Sequence, residues 1–205
     1  RVGRLQSRLY EPSREQSVIV ALNIPTFEQT WQGSDPVLLE RGVAVAASIA
    51  RWAAEAGNAL GLVANGSFAD ADRTIRIGAG RDPDRLSRVL EALAMITAFT
   101  TSNMAGDLED PAYPLPAGAT VVLIAAVMPD DLAATLLRLR DRGHFVAVVK
   151  TSHAIWDRAL DPIPVVTVAA AMEALEADED RAPVRDSLWA TTVGTLGAEM
   201  DEVHA

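Results

Sequence analysis

Four short apolar runs constrain this chain more than any other feature: Ser17–Leu22 (SVIVAL), Ala59–Ala64 (ALGLVA), Thr120–Val127 (TVVLIAAV) and Phe145–Val149 (FVAVV). A strand with one wet face alternates apolar and polar residues. A continuous β-branched run is the mark of a strand covered on both faces, the habit of parallel sheets. The intervening segments carry helical spacing. Ser34-Asp35-Pro36 offers a helix start, with a helix from about Val37 to Ala56 and a stop at Gly57-Asn58. Asp82-Pro83 starts a second, with Leu86, Val89, Leu90, Leu93, Ala94 and Ile96 on one side, fading by Phe99–Asn103. Pro129-Asp130-Asp131 starts a third, carrying Leu132, Leu136, Leu137 and Leu139 as far as Gly143. Buried strands alternating with helices predict an α/β fold: a doubly wound, mostly parallel sheet with helices on both faces.

Weaker signals fill in the edges. Residues 5–10 alternate, as does Arg73–Ile77, and both read as half-exposed strands; Gly78-Ala79-Gly80 reads as a turn. Ile163–Val168 suits a sheet edge, because Pro164 has no N–H to give a ladder. After Val168 the texture changes to an acidic run, Glu173–Asp180, and then to an amphipathic stretch, Pro183–Val203, with Leu188, Thr192, Leu196 and Met200 on one stripe. The organisation expected is a domain over residues 1–170, then an acidic linker and C-terminal helix over 171–205.

Composition removes several function classes. The net charge is −10, and Lys150 is the only lysine. That balance argues against binding phosphate backbones and against docking on anionic lipid through a basic patch. With no cysteine, disulfides, thiolate zinc sites and cysteine nucleophiles are excluded. The most apolar long run, Val37–Ala54, is broken by Glu40, Arg41 and Arg51, whereas a membrane span needs about 20 mostly apolar residues. Arg1 opens a polar segment with no apolar leader, and the chain reads as an excised or processed piece.

In a doubly wound sheet, ligands sit beyond the carboxyl ends of the strands. The loops after Leu22, Ala64, Val127 and Val149 are therefore where function would lie. Asp130-Asp131 could be paired carboxylates, but acidic residues at a helix start more often serve the helix dipole. Ser102, His153 and Asp107 could form a triad, yet no Gly-x-Ser-x-Gly elbow surrounds Ser102. Neither phosphate-loop nor dinucleotide-binding glycine pattern occurs. Trp31 sits in a polar loop at the same end, either as an interface anchor or folded over the first helix. Trp52, on a mostly apolar helix, is expected in the core.

Three stretches carry a family resemblance: Gly3–Ile24 (GRLQSRLYEPSREQSVIVALNI), Leu38–Gly66 (LLERGVAVAASIARWAAEAGNALGLVANG), and LPAGATVVLIAA followed by LRDRGHFVAVV. Together they resemble the bacterial "domain of unknown function 58" family, over roughly residues 2–168. The resemblance implies a von Willebrand factor type A-like domain and a setting beside MoxR-type AAA+ ATPases. It also implies a parent protein with membrane helices upstream, with this domain on the cytoplasmic face. In von Willebrand type A domains the loop after the first strand reads Asp-x-Ser-x-Ser, and its oxygens hold a divalent cation that receives a partner carboxylate. Here those positions are Asn23, Pro25 and Phe27. A later threonine position falls near Thr101-Ser102, and the aspartate after the fourth strand falls at Ala126. Hard cations want several oxygen ligands, and Pro25, Phe27 and Ala126 supply none from their side chains. The resemblance thus implies a degenerate metal site, with no metal and no cofactor.

The expected function is a non-enzymatic protein-interaction module whose contact rim is Asn23, Thr26, Trp31, Ser102 and Asp130, with a MoxR-type ATPase as partner. The alternatives are a hydrolase or other enzyme at the same rim, and an adhesion domain holding a cation through different ligands.

Overall fold

The apolar runs become strands at nearly the expected bounds. β1 (Ser17–Leu22), β2 (Ala59–Ala64), β4 (Thr120–Ala125) and β5 (Phe145–Lys150) are each six residues long. With β3 (Ile75–Gly80) and the short β6 (Val165–Thr167) they form one sheet in the order β3-β2-β1-β4-β5-β6. Every pairing is parallel except β2 with β3. The structure is a computed structural model and describes residues 16–28, 33–68, 74–156 and 160–181, with side chains as far as residue 177. The expected strand over residues 5–10, Trp31 and the expected helix Pro183–Val203 lie outside the described residues.

The helices are α1 (Pro36–Glu55), α2 (Arg85–Ala94), α3 (Met104–Leu108), α4 (Asp130–Asp141) and α5 (Ala169–Arg181). Asp35 caps α1: its Oδ1 accepts the N–H of Val37 at 2.9 Å and of Leu38 at 3.3 Å, and Pro36 fills the first turn, where no N–H is needed. Gly57 (φ 74°) and Gly143 (φ 90°) follow α1 and α4 in the left-handed conformation that ends a helix.

Alternation along the central strands divides the core in two. Val18, Val20 and Leu22 of β1 join Leu60, Leu62, Ala46, Ala50, Ala53, Val89 and Leu93 on the face covered by α1 and α2. Ile19 and Ala21 join Val121, Leu123, Met104, Leu132, Leu136 and Val148 on the face covered by α3 and α4. This is the doubly wound α/β sheet with helices on both faces. α1 can lie close because its inner stripe is small: a Cβ on Gly42 would stand 3.1 Å from Leu22 Cδ1.

Three expectations are corrected. Gly78-Ala79-Gly80 is not a turn but the second half of β3. Antiparallel pairing with β2 carries that strand on to Gly80 opposite Leu60, with a register shift between Leu60 and Leu62. Trp52 is not core but 59% exposed. It lies two residues from the buried Ala50, about 200° round the helix at ~100° per residue. The acidic run Glu173–Asp180 is not a linker but part of α5, in keeping with the helix propensity of its Ala, Leu and Glu residues. The chain divides into two units, residues 1–168 and 169–205. Among the described residues, no helix is long and apolar enough to cross a membrane.

Candidate functional site

Parallel register brings the carboxyl ends of β1, β2 and β4 level, with Leu22 beside both Ala64 and Ile124. The next residue on each of the first two strands is an asparagine, and these two side chains meet. Asn65, 1% exposed, is the organising group. Its Oδ1 accepts the N–H of Ile24 at 2.8 Å. Its Nδ2 donates to Asn23 Oδ1 at 3.0 Å and to the Ser102 carbonyl at 3.3 Å. Its own carbonyl accepts the N–H of Thr101 at 2.9 Å. One buried amide thus ties together the loops after β1 and β2 and the segment leading into α3.

That chain of bonds fixes the orientation of both amides. Ile24 N–H must meet an acceptor, so Asn65 presents its nitrogen to Asn23, and Asn23 answers with its oxygen. The Asn23 amide nitrogen is left over. It is buried and has no hydrogen-bond partner among the described residues, and the same holds for Ser34 Oγ. A buried polar group left unpaired costs about 1–3 kcal/mol. Asn23 also borders a void of about 10 Å³, room for at most a single water, whereas its amide nitrogen carries two hydrogens.

Both residues line a cleft of about 720 Å³ at this end of the sheet. Its size falls within the roughly 300–1,000 Å³ usual for ligand sites. The apolar wall includes Pro25, Phe27, Phe99 and Val127, with Phe27 37% and Phe99 77% exposed. Among the described residues the charged lining consists of Glu28 and Asp131, with no Lys, Arg or His. Asp131 is held in place: its Oδ1 accepts the N–H of Leu132 at 2.9 Å, and its Oδ2 accepts from Asn103 Nδ2.

The expected contact residues are divided by burial. Asn23 (6% exposed) and Thr26 (5%) face inward. Thr26 Oγ1 accepts the N–H of Asp35 at 2.7 Å and so braces the start of α1. Ser102 is half-buried, and Asp130 is exposed in the first turn of α4. Trp31 lies outside the described residues. Asn23 and Ser102 line the cleft; Thr26 and Asp130 do not. Asn65, Phe99 and Asp131 were missed as site residues. Asn65-Gly66 looks like an ordinary turn in sequence, Phe99 like the frayed end of a helix, and Asp131 like a cap.

The Ser102 hydroxyl is committed elsewhere. It bonds Asp107 Oδ2 and Thr74 Oγ1, while Asp107 Oδ1 accepts from Arg76 at 3.0 Å. Arg76 also stands 5.2 Å from the centre of the Tyr113 ring. These bonds anchor β3 to α3, and Ser102 and Asp107 are joined without a histidine: His153 is exposed, in the loop after β5. Ala126 gives only its backbone carbonyl, which accepts from Ser152 Oγ and from Trp156 Nε1. The donor set does not fit a hard divalent cation. Asn23 Oδ1 is taken, Pro25, Phe27 and Ala126 bring no side-chain oxygen, and of the adjacent carboxylates Asp130 and Asp131 just after the β4 loop, Asp131 lines the cleft and Asp130 does not. Among the described residues, no group of three or more His, Asp or Glu is placed to hold a metal. A smaller cavity of about 460 Å³ lies near the amino end of β2. There Arg85 is engaged by Asp82 and the Gly78 carbonyl, and Arg81 by the Gly57 carbonyl.

No protein-family model matches the sequence, and no curated protein matches it. Solved structures do. Proximal thread matrix protein 1 from the mussel byssus aligns with a TM-score of 0.52 at 9% identity, over 78% of this chain and 47% of that one. The chain therefore spans about half the length of that protein. An aerotolerance-related membrane protein from Bacteroides fragilis aligns with a TM-score of 0.48 at 12% identity, over 81% of this chain and 99% of the other. The TRAP protein of Plasmodium vivax, solved loaded with manganese, aligns at 0.40 and 16% identity, over 78% and 72%. At such identities the likeness concerns the fold.

Proposed function

We propose that the chain is a non-enzymatic protein-interaction module that receives its partner at the cleft beyond β1, β2 and β4, and does so without a metal ion. The observation that carries this reading is the lining itself. The cleft has exposed aromatic walls and an unpaired buried amide, but neither the oxygens a cation needs nor a paired nucleophile and base. It is a degenerate form of the metal-dependent adhesion site, its ligand positions taken by Asn23, Pro25, Phe27 and Ala126. The sequence resemblance to the "domain of unknown function 58" family supplies the partner, a MoxR-type AAA+ ATPase, and a cytoplasmic placement on a membrane-associated parent. Cleft size alone also suits an enzyme, the runner-up. Against it stands the Ser102 hydroxyl, whose partners are Thr74 and Asp107.

Binding of the purified chain to an immobilised MoxR-type ATPase from the same cell tests this. The expected result is saturable binding that Phe99→Asp abolishes, since a charge at that exposed ring breaks an apolar contact. Absence of binding removes the ATPase from the reading. Binding that Phe99→Asp leaves unchanged removes the cleft.

A further inference from the structure

The cleft inverts the charge logic of a metal-dependent site. Where a bound cation draws a partner's carboxylate, the formal charges lining this cleft among the described residues are those of Glu28 and Asp131, both exposed, on a chain of net charge −10. Among the described residues, no lysine, arginine or histidine lines it to offset them. A carboxylate entering here would meet like charge in a space walled by Phe27, Phe99 and Val127, where the field is less screened than in open water. A cation entering would be drawn in, and its carbon stem would lie on the aromatic rims.

Building on the interaction-module reading, we infer that the cleft takes a basic segment of a partner polypeptide: an arginine or lysine directed to Glu28 and Asp131, with an apolar neighbour on the Phe27 and Phe99 rims. The partner's specificity is then opposite in sign to that of a cation-bearing site. Charge complementarity selects the segment and speeds its encounter, and the aromatic rims grip its apolar neighbour. The Asp131 carboxylate suits the task because Asn103 and the Leu132 N–H already hold it in one orientation.

Two-dimensional amide NMR of the full chain tests this with three matched probes: N-acetyl-arginyl-leucine amide, N-acetyl-glutamyl-leucine amide and N-acetyl-glutaminyl-leucine amide. The arginyl probe should shift the amides of Ile24, Phe99 and Asn103 saturably, at least about fivefold more tightly than the glutaminyl probe. The glutamyl probe should leave them in place. Glu28→Gln combined with Asp131→Asn should remove the arginyl preference, and added salt should weaken it. Both replacements keep side-chain size, and an unchanged spectrum away from the cleft shows that the variant is folded. Tighter binding of the glutamyl probe overturns the basic specificity while leaving the interaction module standing. An arginyl preference that survives the double variant overturns it too. If no probe shifts the cleft amides at saturating concentration, both the inference and the cleft's role as the contact surface fall.

Discussion

Asn65 decides the geometry of this end of the molecule. Replacing it with alanine removes the acceptor for Ile24 N–H and the donor to Asn23 Oδ1 at once, and both groups are buried. Two buried groups left unpaired cost about 1–3 kcal/mol each, so Asn65→Ala should lower stability by about 2–6 kcal/mol in urea unfolding. A loss under about 1 kcal/mol would mean that the three loops close without this amide. Nothing nearby in sequence announces the role, because its partners are 41, 42 and 37 residues away. The Asn-Gly pair suggests a turn, whereas Gly66 in fact bridges to Thr100. Asn23 shows the complementary limit. That it lacks a carboxylate is plain from the sequence. That its remaining donor is buried and unpaired depends on which way a neighbouring amide faces, and only contacts settle that.

Among the elements, the helix pair α3 and α4 is clasped by one residue. Glu109, just past α3, accepts from Arg138 at 3.1 and 2.6 Å and from Thr135 at 3.4 Å, and Arg142 stands 3.0 Å away. The hydrogen bond from Arg138 holds the Glu109 carboxyl below the usual glutamate value; partial burial works the other way, and the charges of Arg138 and Arg142 add to the lowering. A group with a depressed folded pKa contributes stability that is complete above its unfolded value, about 4.3 for glutamate, and is lost as pH falls through the folded value. The melting-temperature difference between the parent and Glu109→Gln should therefore stay constant from neutral pH to about 5 and shrink below about 4. A difference still undiminished at pH 3 would show that the Glu109 charge does not hold the clasp. α3 has only five residues, too short for the periodicity by which α1, α2 and α4 were recognised. β3 misled for a related reason: glycines at 78 and 80 look like punctuation, but the strand they extend is an edge held by β2.

At the scale of the whole molecule, the layering was legible because continuous apolar runs admit few homes. β1, β2, β4 and β5 must each be covered twice, and a sheet between two helical layers does that. The site at the carboxyl ends followed from the same argument; its contents did not, because they depend on the level ends of β1, β2 and β4. The fold also makes one global measurement decisive for the remaining rival, a cation held by other oxygens. A ligand that binds only the native state raises stability by RT ln(1 + [L]/Kd). At 10 mM magnesium or manganese, even a millimolar site would contribute about 1.4 kcal/mol. For a chain of this length that is a rise of about 3–6 °C in melting temperature. With Asn23 Oδ1 already committed to Asn65 and no side-chain oxygen at Pro25, Phe27 or Ala126, neither ion should move the midpoint beyond a potassium control of equal ionic strength. A specific rise that Asp131→Asn abolishes would place a cation in the cleft, reverse its charge, and return the carboxylate to the list of groups it receives.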